Sequence, residues 1–224
     1  MKEELIAYLA QHLTEKRFSL FRKIVQNRTR YLTAVLEDIY QSQNASAVLR
    51  SCDCFGIQDV HVIENRNKFD VNPKVSLGSS KWLSLHAYNH EEHNTLQAIS
   101  KLKAEGYRIV ATTPHENDVH LENFDLEGGR AALVFGTELK GISDEVKNEA
   151  DIFLKIPMYG FTESFNISVS AAITLHHLTL KLHESTIDWQ LPDDEQDELL
   201  ITWLRKSIKG SDLIEREFYK RRIL

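Results

Sequence analysis

The chain has 224 residues, a mass of 25.9 kDa and a formal net charge of −6, with 42% hydrophobic and 27% charged residues. That composition excludes a disordered chain, and no apolar run approaches the roughly 20 residues needed to span a bilayer. Its two cysteines, Cys52 and Cys54, exclude a disulfide framework and a four-cysteine zinc cluster.

The opening MKEELIAYLAQHLTEKRF lacks an unbroken apolar core and a small-residue cleavage site, so it does not read as a signal peptide. A cytoplasmic location is expected. In the same segment Leu5, Leu9 and Leu13, then Phe18, Phe21, Ile24 and Val25, recur at helical spacing. TAVLEDIY (33–40) shifts to a strand-like run. NASAVLRSCDCFG (44–56) reads as a helix stopped by Gly56, and DVHVIE (59–64) as a strand. A loop with Asn72-Pro73 and Gly78 follows, then a strand at WLSLHAY (82–88). Further along, NTLQAISKLKAEG (94–106) is a helix, YRIVATT (107–113) a strand, RAALVFG (130–136) a strand and DEVKNEA (144–150) a short helix. IFLKIPM (152–158) is a strand and SVSAAITLHHLTLKLHE (168–184) a long helix. After Pro192 comes the acidic patch DDEQDE, and beyond it two amphipathic basic helices are expected. Strands alternating with helices imply an α/β fold with a parallel, covered sheet.

Charge is unevenly spread. Residues 1–31 hold seven Lys and Arg against three Glu, residues 205–224 hold seven against three acids, and the middle therefore carries −14. Basic ends on an acidic body suit two phosphate-contacting arms, and equally two ordinary solvated helices.

Ligands of open parallel sheets bind beyond the C-terminal ends of the strands. Three such ends are polar: IYQSQNASAVLR (39–50), VFGTELKGIS (134–143) and IPMYGFTESFNISVS (156–170), and the last two hold Gly136, Gly141 and Gly160. No GxGxxG, Walker or GxSxG motif is present, which disfavours the ordinary dinucleotide cradle, phosphoryl transfer from ATP and a nucleophile elbow. His176, His177 and His183 read as a helix face and not as a metal site. Cys54 reads as a small helix-buried side chain and not as a nucleophile.

The three polar segments resemble the three motifs of the TrmH/SpoU branch of the SPOUT RNA methyltransferases. The first motif is Asn44 through Arg50. The second is GTELKGIS (136–143), with Glu138 and Gly141. The third is IPMYGFTESFNISVSAAI (156–173), with Pro157, Gly160, Ser164, Asn166 and Ser168. The resemblance runs from about Tyr31 to Leu182, and it is strongest to members that methylate guanosine 18 in the D-loop of tRNA. It implies a parallel sheet with a C-terminal trefoil knot, a homodimer, S-adenosylmethionine as donor, tRNA as partner, and neither metal nor membrane. Domains would be a basic helical segment (1–30), the methyltransferase domain (31–185) and a basic helical extension (186–224). The motifs do not separate this from a 2′-O-methyltransferase of rRNA or of another tRNA position. A non-catalytic RNA-binding protein of the same fold is the reading from another class.

The resemblance also assigns residues. Arg50 would be the catalytic arginine and Asn44 would hold Arg50 or the substrate in place, although Asn44 equally suits a plain N-cap. Glu138 would support the cofactor loop or the arginine, and Ser164 and Asn166 would organise the site at a helix entrance. Donor-binding positions would be Thr112, Leu133 to Gly136, Ile156, Met158 and Phe165. Phe165 departs from the aliphatic residue expected there, and Ile156 equally suits plain strand core. With the family in view, Arg28, Arg30, Arg205, Lys206, Lys209, Arg221 and Arg222 are expected to contact tRNA phosphates.

Overall fold

In the computed structural model the described residues are 1–91, 93–113, 118–137 and 141–223. In chain order they form α1 (Lys2–Ala10), α2 (Glu15–Val25), β1 (Leu32–Glu37), α3 (Ser42–Cys54), β2 (Asp59–Ile63), α4 (Pro73–Ser76), β3 (Ser84–Tyr88) and α5 (Asn94–Ala104). Then come β4 (Arg108–Thr112), β5 (Val119–His120), β6 (Ala131–Phe135), α6 (Asp144–Glu149), β7 (Ile152–Lys155), α7 (Ile167–Glu184), α8 (Asp193–Ser207) and α9 (Ser211–Ile223). The chain divides into two units, Arg30–Trp189 and a second made of Met1–Thr29 with Gln190–Leu224. Among the described residues no helix is long and apolar enough to cross a membrane.

The unit Arg30–Trp189 is an α/β structure around a seven-stranded sheet of order β3-β2-β1-β6-β4-β7-β5, with every pairing parallel. Its central strands read LTAVLE and AALVF and are buried throughout, as a sheet covered on both faces requires. Alternate side chains go to opposite faces. Leu32, Ala34, Leu36, Leu133 and Phe135 pack in a cluster with Val48 and Leu49 of α3 and Leu175 and Leu178 of α7. Val35, Ala132 and Val134 join the other cluster, with Ile99 and Leu102 of α5 and Val146 of α6. Each buried Leu, Ile or Val contributes about 1.5–3 kcal/mol, so both covering layers are needed to hold the sheet.

Local chemistry explains the departures from the sequence reading. The stretch expected to be loop holds α4, because Asn72 accepts from the N–H of Lys74 (3.0 Å) and Pro73 suits the first helical position. The two-residue β5 is too short to show any alternation. β7 stops at Lys155, two residues before Pro157, which has no N–H to extend the ladder. On β2 the buried His61 stacks on His86 (4.6 Å) and shares a hydrogen bond with the Tyr88 hydroxyl (2.9 Å). Burial, with His86 alongside, pushes the His61 pKa down to about 4, so it is a neutral core residue.

The second unit packs α1 and α2 against α8, with Leu5, Leu9, Phe21, Leu200 and Trp203 buried. The acidic patch, expected to lie ahead of the basic helices, is instead part of one. Asp193, Asp194 and Glu195 are the first turn of α8, where the helix dipole favours negative charge.

Candidate active site

A cavity of about 380 Å³ opens at the C-terminal ends of β4, β6 and β7, beside the first turns of α7. Its position and size suit a small organic ligand. Thr112, Gly136, Ile156, Met158 and Phe165, all expected at a donor site, line it, and so does Ser164. Leu133 does not: it lies two residues short of the β6 tip, fully buried in the core between sheet and helices. Sequence reasoning missed Thr113, Ile142, Lys147, Leu154, Ile167, Ser170 and Thr174, which also line the cavity. They are scattered over strand ends, the entrance and body of α6 and one face of the long α7, and carry no shared pattern that would have marked them. Lys147, for one, reads as a surface lysine paired with Asp144 (2.8 Å).

The second motif forms one side of this cavity. Thr137 and Gly141 exchange backbone hydrogen bonds (2.8 and 2.9 Å), and Gly141 sits at φ 67°. Gly136 passes so close to this pair that a Cβ on it would lie 2.2 Å from the Gly141 carbonyl oxygen. Glycine is required there by contact, not by conformation. Glu138 lies outside the described residues.

The first and third motifs meet through their asparagines. Asn166 Nδ2 donates to Asn44 Oδ1 (3.2 Å), joining residues 122 positions apart. Asn166 is itself the N-cap of α7: its Oδ1 accepts from the Ser168 N–H (2.9 Å) and from Ser168 Oγ (2.6 Å). Asn44 is not an N-cap, since it lies inside α3 and Gln41 occupies the cap position. Its amide is 8% exposed and donates to Gln41 Oε1 (3.2 Å). Arg50 is exposed near the far end of the same helix and is not part of the cavity lining. The cysteines of this helix divide as well: Cys52 is the buried one, whereas Cys54, expected to be buried, is exposed at the last turn.

The basic residues separate sharply. Arg28, expected at a phosphate, is 2% exposed with its guanidinium over the Trp203 ring (5.3 Å), so it is a core residue of its unit. Arg30 is partly buried and pairs with Asp59 (2.8 Å). Arg205 forms a two-pronged pair with Glu215 (2.8 and 2.5 Å), and Arg221 pairs with Glu217. Lys206 and Lys209 are exposed. The Arg222 side chain lies outside the described residues. His176 and His183 face aromatic rings, Phe55 (5.7 Å) and Trp189 (4.1 Å) respectively. Among the described residues no three His, Cys, Asp or Glu side chains are placed to hold a metal ion.

Comparison with known proteins places this geometry in context. The model of the SpoU rRNA Methylase family matches residues 31–176. The tRNA (guanosine(18)-2'-O)-methyltransferase of Borreliella burgdorferi is 45% identical over 210 residues, covering 94% of each chain. The protein of the same name from Thermus thermophilus is 33% identical, over 86% of this chain and 98% of its own. A crystal structure of the Aquifex aeolicus TrmH/SpoU tRNA modifying enzyme superposes with a TM-score of 0.77 at 28% identity, covering 88% of this chain and 98% of that one.

Proposed function

The chain belongs to the SpoU methylase family, and from that premise we propose that it is an S-adenosylmethionine-dependent tRNA (guanosine-18-2′-O)-methyltransferase. The observation that carries this reading is the cavity: two of the family's motifs wall it, at strand ends, and the first is bonded to the third through Asn44 and Asn166. The match to a guanosine-18 enzyme over 94% of each chain supports the substrate, because it includes the helices outside the catalytic unit.

The lining fits an adenosyl sulfonium donor. Ile156, Met158 and Phe165 offer an apolar slot for a purine, and Gly136 lets the Gly141–Ile142 backbone close against the end of β6. When bound, the donor supplies an already activated methyl group on positively charged sulfur. The protein's tasks are then to align the ribose hydroxyl and to help it lose its proton. Arg50 suits the second task as a fixed positive charge against the developing alkoxide. A guanidinium is already protonated at neutral pH and is therefore a poor proton acceptor. Asn44 and Asn166 fix the junction between α3 and α7, and Ser164 lies on the cavity wall just before it. In this reading Glu138 supports the cofactor loop or Arg50. The same reading includes a C-terminal trefoil knot, a homodimer with the site near the interface, a cytoplasmic location, and helical appendages at 1–30 and 186–224 around a 31–185 methyltransferase domain.

Methylation of unmodified tRNA with labelled donor, followed by mapping of the modified nucleotide, tests the reading. One methyl group should appear on the ribose of guanosine 18. Label on rRNA or at another tRNA position would replace the substrate assignment. Failure to bind S-adenosylmethionine at millimolar concentration would remove the enzyme assignment and favour an RNA-binding protein.

A further inference from the structure

Glu37 ends β1 and is 2% exposed. A glutamate is almost never so buried unless other groups hold it. Three donors converge on its carboxyl. The Ser143 N–H donates to Oε2 (2.9 Å), while Ser143 Oγ and Thr95 Oγ1 each donate to Oε1 (2.7 Å). The direction of each bond is fixed by its neighbours. Ser143 Oγ already accepts from the Val146 N–H (3.1 Å), and Thr95 Oγ1 already accepts from Asn65 Nδ2 (2.9 Å). Both hydroxyl protons are thereby left for Glu37, which acts only as an acceptor.

The next residue extends the arrangement. Asp38, at φ 54°, accepts from the N–H groups of Asn65 (2.9 Å), Arg66 (2.8 Å) and Asn67 (3.1 Å). The tip of β1 therefore anchors the 65–67 segment, the start of α5 and the start of α6 together. Of these, only the α6 connection leads to the cavity. Gly136, Thr137, Gly141 and Ile142 line it, and Ser143 follows directly as the N-cap of α6. The Thr137–Gly141 pair closes the base of this segment, but its exit into α6 is held by Glu37. A six-residue helix has too few internal bonds to fix its own position.

We propose that Glu37 is a positioning residue for the donor site, holding the 141–143 exit of the second motif so that the cavity wall keeps the shape the donor requires. The proposal rests on reading the cavity as the S-adenosylmethionine site. Thr95 touches the same carboxyl without touching that wall, so it separates positioning from general stability.

Calorimetric titration with S-adenosylmethionine and steady-state kinetics on tRNA, using the full-length protein, test this. Glu37→Gln places an amide N–H₂ against donors. One lost or mismatched buried hydrogen bond is worth about a factor of ten or more in affinity, so the donor Kd and KM should rise at least about tenfold. The tRNA KM should stay within about twofold. Ser143→Ala keeps one of its two bonds to Glu37 and should raise the donor Kd by a smaller factor, roughly three- to tenfold. Thr95→Val should lower Tm while leaving the donor Kd within about threefold. A folded Glu37→Gln with wild-type donor affinity overturns the inference alone. So does a Thr95→Val variant that loses as much donor affinity as Glu37→Gln. Should Glu37→Gln fail to fold, an unchanged donor Kd in Ser143→Ala overturns it instead. If the wild type does not bind S-adenosylmethionine, the reading of the cavity falls first and the inference falls with it.

Discussion

Asn44 and Arg50 share one helix but not one face. Six residues at about 100° each leave their side chains about 120° apart around α3. Asn44 accordingly turns inward to Asn166, and Arg50 is exposed. The cavity is built without Arg50, so if it holds the donor as proposed, loss of Arg50 should spare donor binding. If Arg50 acts only as the hydroxyl reacts, Arg50→Ala should lower kcat by roughly 10²–10³ while leaving the S-adenosylmethionine Kd within about twofold. Arg50→Lys should recover little, because an ammonium is a point charge and cannot reproduce the planar fork. Single-turnover methylation beside calorimetry reads both quantities. A rate within about threefold of wild type in Arg50→Ala would remove the arginine from the chemistry and leave it as a surface residue.

At the scale of elements, the cavity wall depends on backbone passing close to backbone. A Cβ at Gly136 would lie 2.2 Å from the Gly141 oxygen and 2.3 Å from its carbon, and neither is the end of a flexible side chain. Gly136→Ala should therefore displace the Thr137–Gly141 pair, lower donor affinity at least about tenfold, and lower Tm by a few degrees. Unchanged calorimetry would mean that the wall relaxes without cost. This close approach was not legible: the two glycines of the polar segment pointed to backbone lying near a ligand, whereas Gly136 lies against the Gly141 backbone. The central strands and the long helices were legible, since LTAVLE, AALVF and the α7 repeat carry period or apolar continuity over five or more residues. What was not legible depends on partners distant in sequence. Glu37 looks like any polar residue at a strand end until Ser143, 106 positions later, is seen donating to it. Leu133 was misplaced because the motif gives the strand but not the depth along it, and only the tip residues reach the cavity. The two-residue β5 had no period to read at all.

For the molecule as a whole, the sequence suggested two basic arms on an acidic body, and folding redistributes that charge. The unit formed by both chain ends holds thirteen Lys and Arg against eleven Asp and Glu, because the acidic start of α8 belongs to it. Several of its cations are already engaged: Lys2 with Glu198 (2.6 Å), Arg205 with Glu215, Arg221 with Glu217, and Arg28 over Trp203. The number of basic residues therefore overstates the charge a tRNA backbone would meet. Exposed pairs of this kind are worth little to stability and can be exchanged for phosphate, but a buried guanidinium cannot. Lys206 and Lys209 are both exposed and flank the end of α8. Deleting α9 to test the arm would also remove the buried Phe218, which packs on Tyr8 (5.2 Å), and confuse charge with folding. Reversing charge at the two lysines avoids that. Lys206→Glu with Lys209→Glu should weaken tRNA binding at low salt and lower the slope of log Kd against log salt by about 1 to 2, because roughly one counterion is released for each phosphate a lysine neutralises. The donor Kd and Tm should stay near wild type, because both side chains are exposed. An unchanged salt slope would show that tRNA is held by another surface, with the basic C-terminal helices serving only as solvated faces.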